Sequence, residues 1–103
     1  EVLYVLCLNA KNVITNHRPL FVGTLNASLI HPREVFRFAV ENAAASIVLA
    51  HNHPSGDPTP SDEDVTITRR LVEAGRALEI PILDHVILGE NVFHSLKESG
   101  AIP

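Results

Sequence analysis

The sequence contains a single cysteine, so it cannot form a disulfide within the chain. Cys7 lies in the apolar run EVLYVLCLNA, where a small buried side chain is a better interpretation than a nucleophile. Disulfides are rare in reducing compartments, and the near absence of cysteine therefore fits a cytoplasmic protein. We expect this protein to be cytoplasmic.

The sequence also lacks a long hydrophobic run. No stretch approaches the ~20 consecutive apolar residues that a membrane-spanning helix needs. The first residues contain neither a basic segment nor a cleavage signal. A length of 103 residues with 46% hydrophobic content predicts one globular domain over residues 1–103. Because the chain begins at Glu1 rather than at a methionine, we expect it to be a fragment of a longer protein.

Positive charge is scarce. Eight lysines and arginines face twelve acidic residues, which gives a net charge of -4. Such a chain lacks the basic surface that nucleic-acid binding requires, and direct binding to DNA or RNA is not expected. The nearest approach to a basic cluster is formed by Arg69, Arg70 and Arg76, which we interpret as the solvated face of a helix.

Repeats and low-complexity segments are absent as well, and turn signals divide the chain into seven elements. The pattern predicts a hairpin over 1–23, a helix over 31–45 that starts with Pro32, a strand over 46–50, a helix over 61–80, and strands over 81–89 and 92–95. The strand SIVLA is apolar on both faces, as in a strand covered by helices on each side. This order predicts an α/β fold with a mixed sheet flanked by helices.

The most informative segment follows that strand and reads HNHPSGDPTPSDED. If the strand continues to residue 53, its alternation places His51 and His53 on the same face. Pro54 cannot donate to a sheet ladder and should end the strand there. Two imidazoles side by side at a strand end can share one metal ion, although such a pair alone is a weak signal.

Asp64 in the following helix can be interpreted in two ways. The helix has an apolar stripe, and extending this stripe backwards by three residues reaches Asp64, which should therefore face the sheet; the stripe consists of Ile67, Leu71, Ala74 and Leu78. The segment SDED also matches a capping box, in which Ser61 and Asp64 satisfy backbone groups at the helix start. Capping accounts for Ser61 and Asp64, whereas a metal site accounts for both histidines and Asp64.

Two histidines and one aspartate make three protein ligands, which leaves a tetrahedral zinc ion one open position. Structural zinc sites normally use four protein ligands, often cysteines. The ligand count therefore favours a catalytic site over a structural one.

The spacing of these residues resembles a known motif. His51-x-His53, seven residues, Ser61, two residues and Asp64 is similar to the H-x-H-x7-S-x2-D motif of JAMM (MPN/JAB1-type) metalloproteases. The segments PREVFRFAVENAAASIVLAHNHPSGDPTPSDED and LDHVILG resemble the C-terminal domain of RadC-like bacterial proteins. The resemblance covers essentially the whole chain and implies a JAB1/MPN-like, cytidine deaminase-like fold with three layers.

The same resemblance implies one zinc ion per chain, held by His51, His53 and Asp64. It implies that Ser61 helps to stabilise the oxyanion of a tetrahedral intermediate. A glutamate on the first strand acts as general base in that family, and Glu1 occupies this position.

Two further residues have competing interpretations. Glu34 is the nearest rival of Glu1 as the base, but its helical spacing is typical of a solvated acid in a first turn. His85, beside Asp84, either contacts the metal site from behind its ligands or is a structural histidine.

The function implied is that of a zinc-dependent, metallopeptidase-like hydrolase that uses a metal-activated water on an unknown peptide or protein substrate. An alternative is a DNA-repair-associated factor or metal-dependent nuclease, because RadC-like proteins carry a DNA-repair name. Another is a catalytically inert interaction module, although the intact ligand set argues against it.

Overall fold

A computed structural model describes residues 1–103 as a five-stranded sheet with two helices. The elements are β1 (Val2–Leu8), β2 (Ile14–Val22), α1 (Pro32–Glu41), β3 (Ser46–Asn52), α2 (Asp62–Leu78), β4 (Ile82–Leu88) and β5 (Phe93–Ser95). The strand order is β2-β1-β3-β4-β5. Only β3 and β4 run parallel, and the other three pairings are antiparallel. The predicted mixed sheet and α/β class are confirmed.

The inner face of the sheet follows from strand alternation. Leu3, Val5 and Cys7 of β1 are all buried, and they pair with His51, Leu49 and Ile47 of β3. Paired residues on neighbouring strands share a face, so these side chains form one apolar layer. Burial raises the pKa of the Cys7 thiol, and the interpretation of Cys7 as a small core residue is confirmed.

Both helices begin where local signals place them, but α1 ends early. Pro32 opens α1 after His31, and α1 stops at Glu41, earlier than predicted, because Ala43 adopts a left-handed conformation at φ 49°. Helix α2 closes at Glu79, which has a φ of 57°. Neither helix combines the length and the apolar character that crossing a membrane requires.

The two helices pack against each other at a glycine, Gly75 of α2. A Cβ atom at Gly75 of α2 would lie 2.5 Å from the carbonyl oxygen of Ile80 and 3.1 Å from the Phe36 ring of α1. Glycine is therefore the residue that allows this close approach. The contact places α1 and α2 on the same side of the sheet.

The opposite face of the sheet is not covered by residues 1–103. It carries half-buried or exposed apolar side chains, namely Val2, Tyr4, Leu6, Val48, Ala50, Val86 and Leu88. We expected helices on both sides of β3, but in the structure both helices lie on one side. Residues 1–103 therefore form two layers, the sheet and one layer of helices, and the third layer of the expected arrangement is not among them. The apolar run SIVLA indicates an apolar second face, but it cannot indicate whether that face is covered.

Candidate metal centre

Three chain segments meet at one end of the sheet. Because β1 runs antiparallel to β3, with Leu3 opposite His51, the start of β1 lies beside the end of β3. The first turn of α2 packs over this corner. Four side chains meet there, and each offers one ligand atom within 4.8 Å of the others: Glu1, His51, His53 and Asp64. Glu34, the rival of Glu1, is not a member of this cluster.

The two histidines come from the end of β3. His51 is 1% exposed, and His53 lies just beyond the strand with its backbone N–H bonded to the carbonyl of Leu88. Their ring centroids are 4.9 Å apart. The Nδ1 atom of His53 is 2.8 Å from the carbonyl oxygen of Asp57, which can only accept, so the ring proton sits on Nδ1. In the neutral ring, Nε2 is then available as a ligand.

Asp64 faces both histidines and also caps its helix. Its Oδ1 is 3.3 Å from His51 Nε2, and its Oδ2 is 3.0 Å from His53 Nε2. The same Oδ2 accepts the backbone N–H of Ser61 at 2.9 Å, and the Ser61 hydroxyl oxygen accepts the Asp64 N–H at 3.1 Å. The capping interpretation and the inward-facing interpretation are both correct, because one carboxylate does both.

Asp64 is ionised at neutral pH despite its burial. Burial raises the pKa of this carboxyl, but the neighbouring His51 imidazole and the Ser61 N–H outweigh that effect and hold the pKa well below its ordinary value. A buried carboxylate between two imidazoles makes this corner of the sheet attractive to a cation.

Glu1 is held at the edge of the cluster. Its Oε1 lies 3.8 Å from His51 Nε2 and 4.0 Å from His53 Nε2. Its Oε2 accepts the N–H of Leu25 at 3.3 Å. The next residue, Val2, donates its N–H to Asn52 Oδ1 at 2.8 Å, so the Asn52 side chain has a structural role. Backbone and side-chain contacts thus fix the position of the Glu1 carboxylate.

An open cleft of about 390 Å³ leads to this cluster. Ser61 is exposed at its wall, and the lining is mostly polar. The other lining side chains include Glu1, Thr24, His53, Glu63 and Asp64. A molecule in the cleft can therefore reach Ser61, Glu1 and His53 together.

His85 of β4 contacts the cluster from inside the core. It is fully buried, and its Nε2 lies 2.7 Å from His51 Nδ1. Its Nδ1 lies 2.6 Å from the Thr68 hydroxyl oxygen. Burial, and then the nearby His51, lower the pKa of His85 from 6.5 to about 3, so the ring is neutral. His85 therefore touches one of the predicted ligands, which fits the interpretation that it contacts the metal site from behind its ligands.

Thr68 is the residue that sequence reasoning missed. It lies one helical turn after Asp64, on the same face of α2, and is 1% exposed. A buried hydroxyl four positions after a predicted ligand is the signal that could have identified it.

The donor set fits a metal ion. His51 Nε2 is buried and has no hydrogen-bond partner, although it faces the two carboxylates. A buried polar nitrogen without a partner is costly, and a cation between it and the carboxylates would remove that cost. Imidazole nitrogens with carboxylate oxygens form a ligand set that zinc accepts.

The fold and the site together define a class of protein: an α/β domain with a cluster of side chains that could hold a metal ion. The model of one family, the RadC-like JAB domain, matches residues 1–101. The chain belongs to this RadC-like JAB domain family, and the resemblance found in the sequence is confirmed. The family suggests metal-dependent hydrolase chemistry of the JAMM type.

Curated relatives support the same assignment. A UPF0758 protein of Clostridium botulinum (strain Hall) is 55% identical over 102 residues, which cover 99% of this chain and 45% of that protein. A UPF0758 protein of Geobacillus sp. (strain WCH70) is 52% identical over 102 residues, which again cover 99% of this chain and 45% of that protein. The chain thus spans a little under half the length of these relatives.

Proposed function

We propose that this domain is a zinc-dependent, metallopeptidase-like hydrolase that cleaves an amide bond in a peptide or protein substrate. The observation that carries the proposal is the cluster of four potential ligand atoms within 4.8 Å, which includes an unpartnered His51 Nε2. His51, His53 and Asp64 would hold the ion, and the cleft beside them would admit the substrate.

The distances support different roles for the two carboxylates. Asp64 oxygens lie 3.3 and 3.0 Å from the two histidine Nε2 atoms, whereas Glu1 Oε1 lies 3.8 and 4.0 Å from them. Asp64 therefore belongs with the ligands, and Glu1 stands at the edge of the set. With three protein ligands, a bound zinc ion would keep one position for a water, and Glu1 is the carboxylate that could act on that water.

Bound zinc would supply an acidified water, with a pKa near 7, and a Lewis acid for the substrate carbonyl. Glu1 would accept the proton of that water, because its Oε1 points towards the cluster while Oε2 is occupied by the Leu25 N–H. General-base assistance of this kind typically contributes about 10²–10⁴-fold to the rate.

Ser61 would stabilise the negative charge that develops on the carbonyl oxygen. Its oxygen already accepts the N–H of Asp64 at 3.1 Å, and its own hydroxyl proton is free to donate into the cleft. A preorganised donor that meets charge only in the transition state contributes to rate rather than to substrate binding.

The cleft disfavours a nucleic-acid substrate. Its lining carries Glu1, Glu63 and Asp64, and no lysine or arginine. Phosphate backbones are bound through cationic side chains, and acidic walls repel them. A peptide or protein substrate is therefore the better match for this site.

Zinc analysis combined with hydrolysis of a quenched fluorescent peptide library tests the proposal. About one zinc per chain is expected in the wild type, with loss of zinc in His51→Ala and Asp64→Ala. Glu1→Gln should keep its zinc but lose at least about 10²-fold in hydrolysis, because only the base is removed. His17→Ala, which alters a histidine outside the cluster, serves as the control. A wild-type protein that binds no zinc would refute the proposal.

A further inference from the structure

His51 is linked to helix α2 by a continuous chain of short polar contacts. The Thr68 hydroxyl oxygen lies 2.7 Å from the backbone carbonyl oxygen of Asp64 and 2.6 Å from His85 Nδ1. His85 Nε2 in turn lies 2.7 Å from His51 Nδ1. His51, Thr68 and His85 are each at most 1% exposed, so water does not substitute for any member of the chain.

With both imidazole rings neutral, only one arrangement of protons satisfies all three contacts. The Asp64 carbonyl can only accept, so the single hydroxyl proton of Thr68 is donated to it. The Thr68 oxygen must then accept from His85 Nδ1–H, which leaves His85 Nε2 as an acceptor. His51 must therefore carry a proton on Nδ1, and in the neutral ring Nε2 is the nitrogen with the lone pair, on the side of Glu1 and Asp64.

The reverse arrangement fails at one contact and blocks the site. If Thr68 donated to His85 instead, its contact with the Asp64 carbonyl would hold no hydrogen bond. His85 would then donate to His51 Nδ1, and the His51 proton would sit on Nε2. An Nε2–H cannot ligate a metal, so the direction of this chain decides whether His51 is a ligand.

We propose that Thr68 and His85 are positioning residues that hold His51 in the Nδ1–H tautomer, with its Nε2 ready to bind the metal. This inference rests on the proposed function, because it takes His51 as a ligand. Thr68 also bonds to the backbone of Asp64, so it aligns a ligand from the sheet with one from the helix. Outer partners of this kind typically contribute 10–100-fold to metal affinity.

Valine is the test substitution at position 68, since it has nearly the shape of threonine but no hydroxyl. Thr68→Val should weaken zinc binding about 10–100-fold. The affinity is measured in the full-length protein by competition with a chelator. Thr68→Ser should restore the affinity because serine keeps the hydroxyl. Thr66→Val, an exposed position on the same helix, should bind zinc as the wild type does.

The tautomer itself is measured by long-range ¹H–¹⁵N NMR of the histidine rings in zinc-free protein, at a pH high enough for the rings to be neutral. The wild type should show His51 with a protonated Nδ1 and a bare Nε2, and Thr68→Val should show a mixture of the two forms. A simple loss of packing would not change the tautomer, so this readout separates positioning from structure.

Two results would overturn the inference while leaving the proposed function intact. One is a wild type that binds zinc but carries the His51 proton on Nε2 before binding. The other is a folded Thr68→Val protein with wild-type zinc affinity. A wild type that binds no zinc at all would instead remove the proposed function, and the inference with it.

Discussion

The double role of Asp64 can be separated by two substitutions. Asp64→Asn keeps the shape of the side chain, and its amide oxygen can still accept the Ser61 N–H that now lies 2.9 Å from Oδ2. A neutral amide is a poor ligand for zinc. Ser61→Ala does the opposite, since it removes the oxygen that accepts the Asp64 N–H and leaves the carboxylate in place.

The expected free energies differ in a way that assigns each role. In metal-free protein, Ser61→Ala should lower the free energy of unfolding by about 1 kcal/mol, as is usual for loss of an N-cap. Asp64→Asn should also lower it, because the folded protein stabilises the ionised Asp64 carboxylate through His51 and the Ser61 N–H. Free zinc at 100 times its Kd should stabilise the wild type by about 2.7 kcal/mol. Ser61→Ala should keep this increment, and Asp64→Asn should lose it.

Urea unfolding followed by circular dichroism, once with EDTA and once with excess zinc, measures both quantities on the same samples. An Asp64→Asn protein that zinc stabilises as much as the wild type would show that this carboxylate serves only as a cap. A Ser61→Ala protein that loses the increment would show that the cap and the metal site cannot be separated.

Two further predictions concern the surroundings of the centre. His85 takes up a proton near pH 3 when folded but near pH 6.5 when unfolded, so metal-free protein should lose stability as pH falls between these values. His85→Leu should reduce that slope by about 1.4 kcal/mol per pH unit, measured by unfolding at pH 6, 5 and 4, and an unchanged slope would contradict the assignment. A Cβ at Gly89 would collide with the Gly56 carbonyl oxygen and lie 2.9 Å from Pro58 Cδ, so Gly89→Ala must displace the loop behind His53. This substitution should lower the free energy of unfolding by about 1–3 kcal/mol and weaken zinc binding. A variant with the thermal stability and the zinc affinity of the wild type would disprove this.

The convergence of the two histidines and Asp64 could be predicted because it depends on local periodicity. Strand alternation places His51 and His53 together, and the helical stripe turns Asp64 inward. Glu1 was predicted from the family pattern, since nothing in its own neighbourhood indicates that β1 and β3 run antiparallel. The geometry then brings these four side chains together.

Other features depend on contacts that a single sequence does not specify. The chain from Thr68 through His85 to His51 requires the parallel pairing that sets Leu49 opposite His85, and this register is determined by tertiary packing. The end of α1 depends on a left-handed Ala43, a conformation that alanine rarely adopts. The sequence did not predict that both helices lie on one face of the sheet. The apolar sequence of β3 is the same whether its second face is covered or exposed.

The arrangement of the proposed site along the chain has a consequence for when it forms. His51, His53 and Asp64 lie between positions 51 and 64, and closing so short a loop costs little entropy. Glu1 lies fifty positions before His51 and reaches the site only when β1 pairs with β3. A chain emerging in a partly folded state could thus capture a metal through its central loop, while the base joins only once the sheet is complete. In that order of events, the proposed ligand set forms before the proposed base is in place.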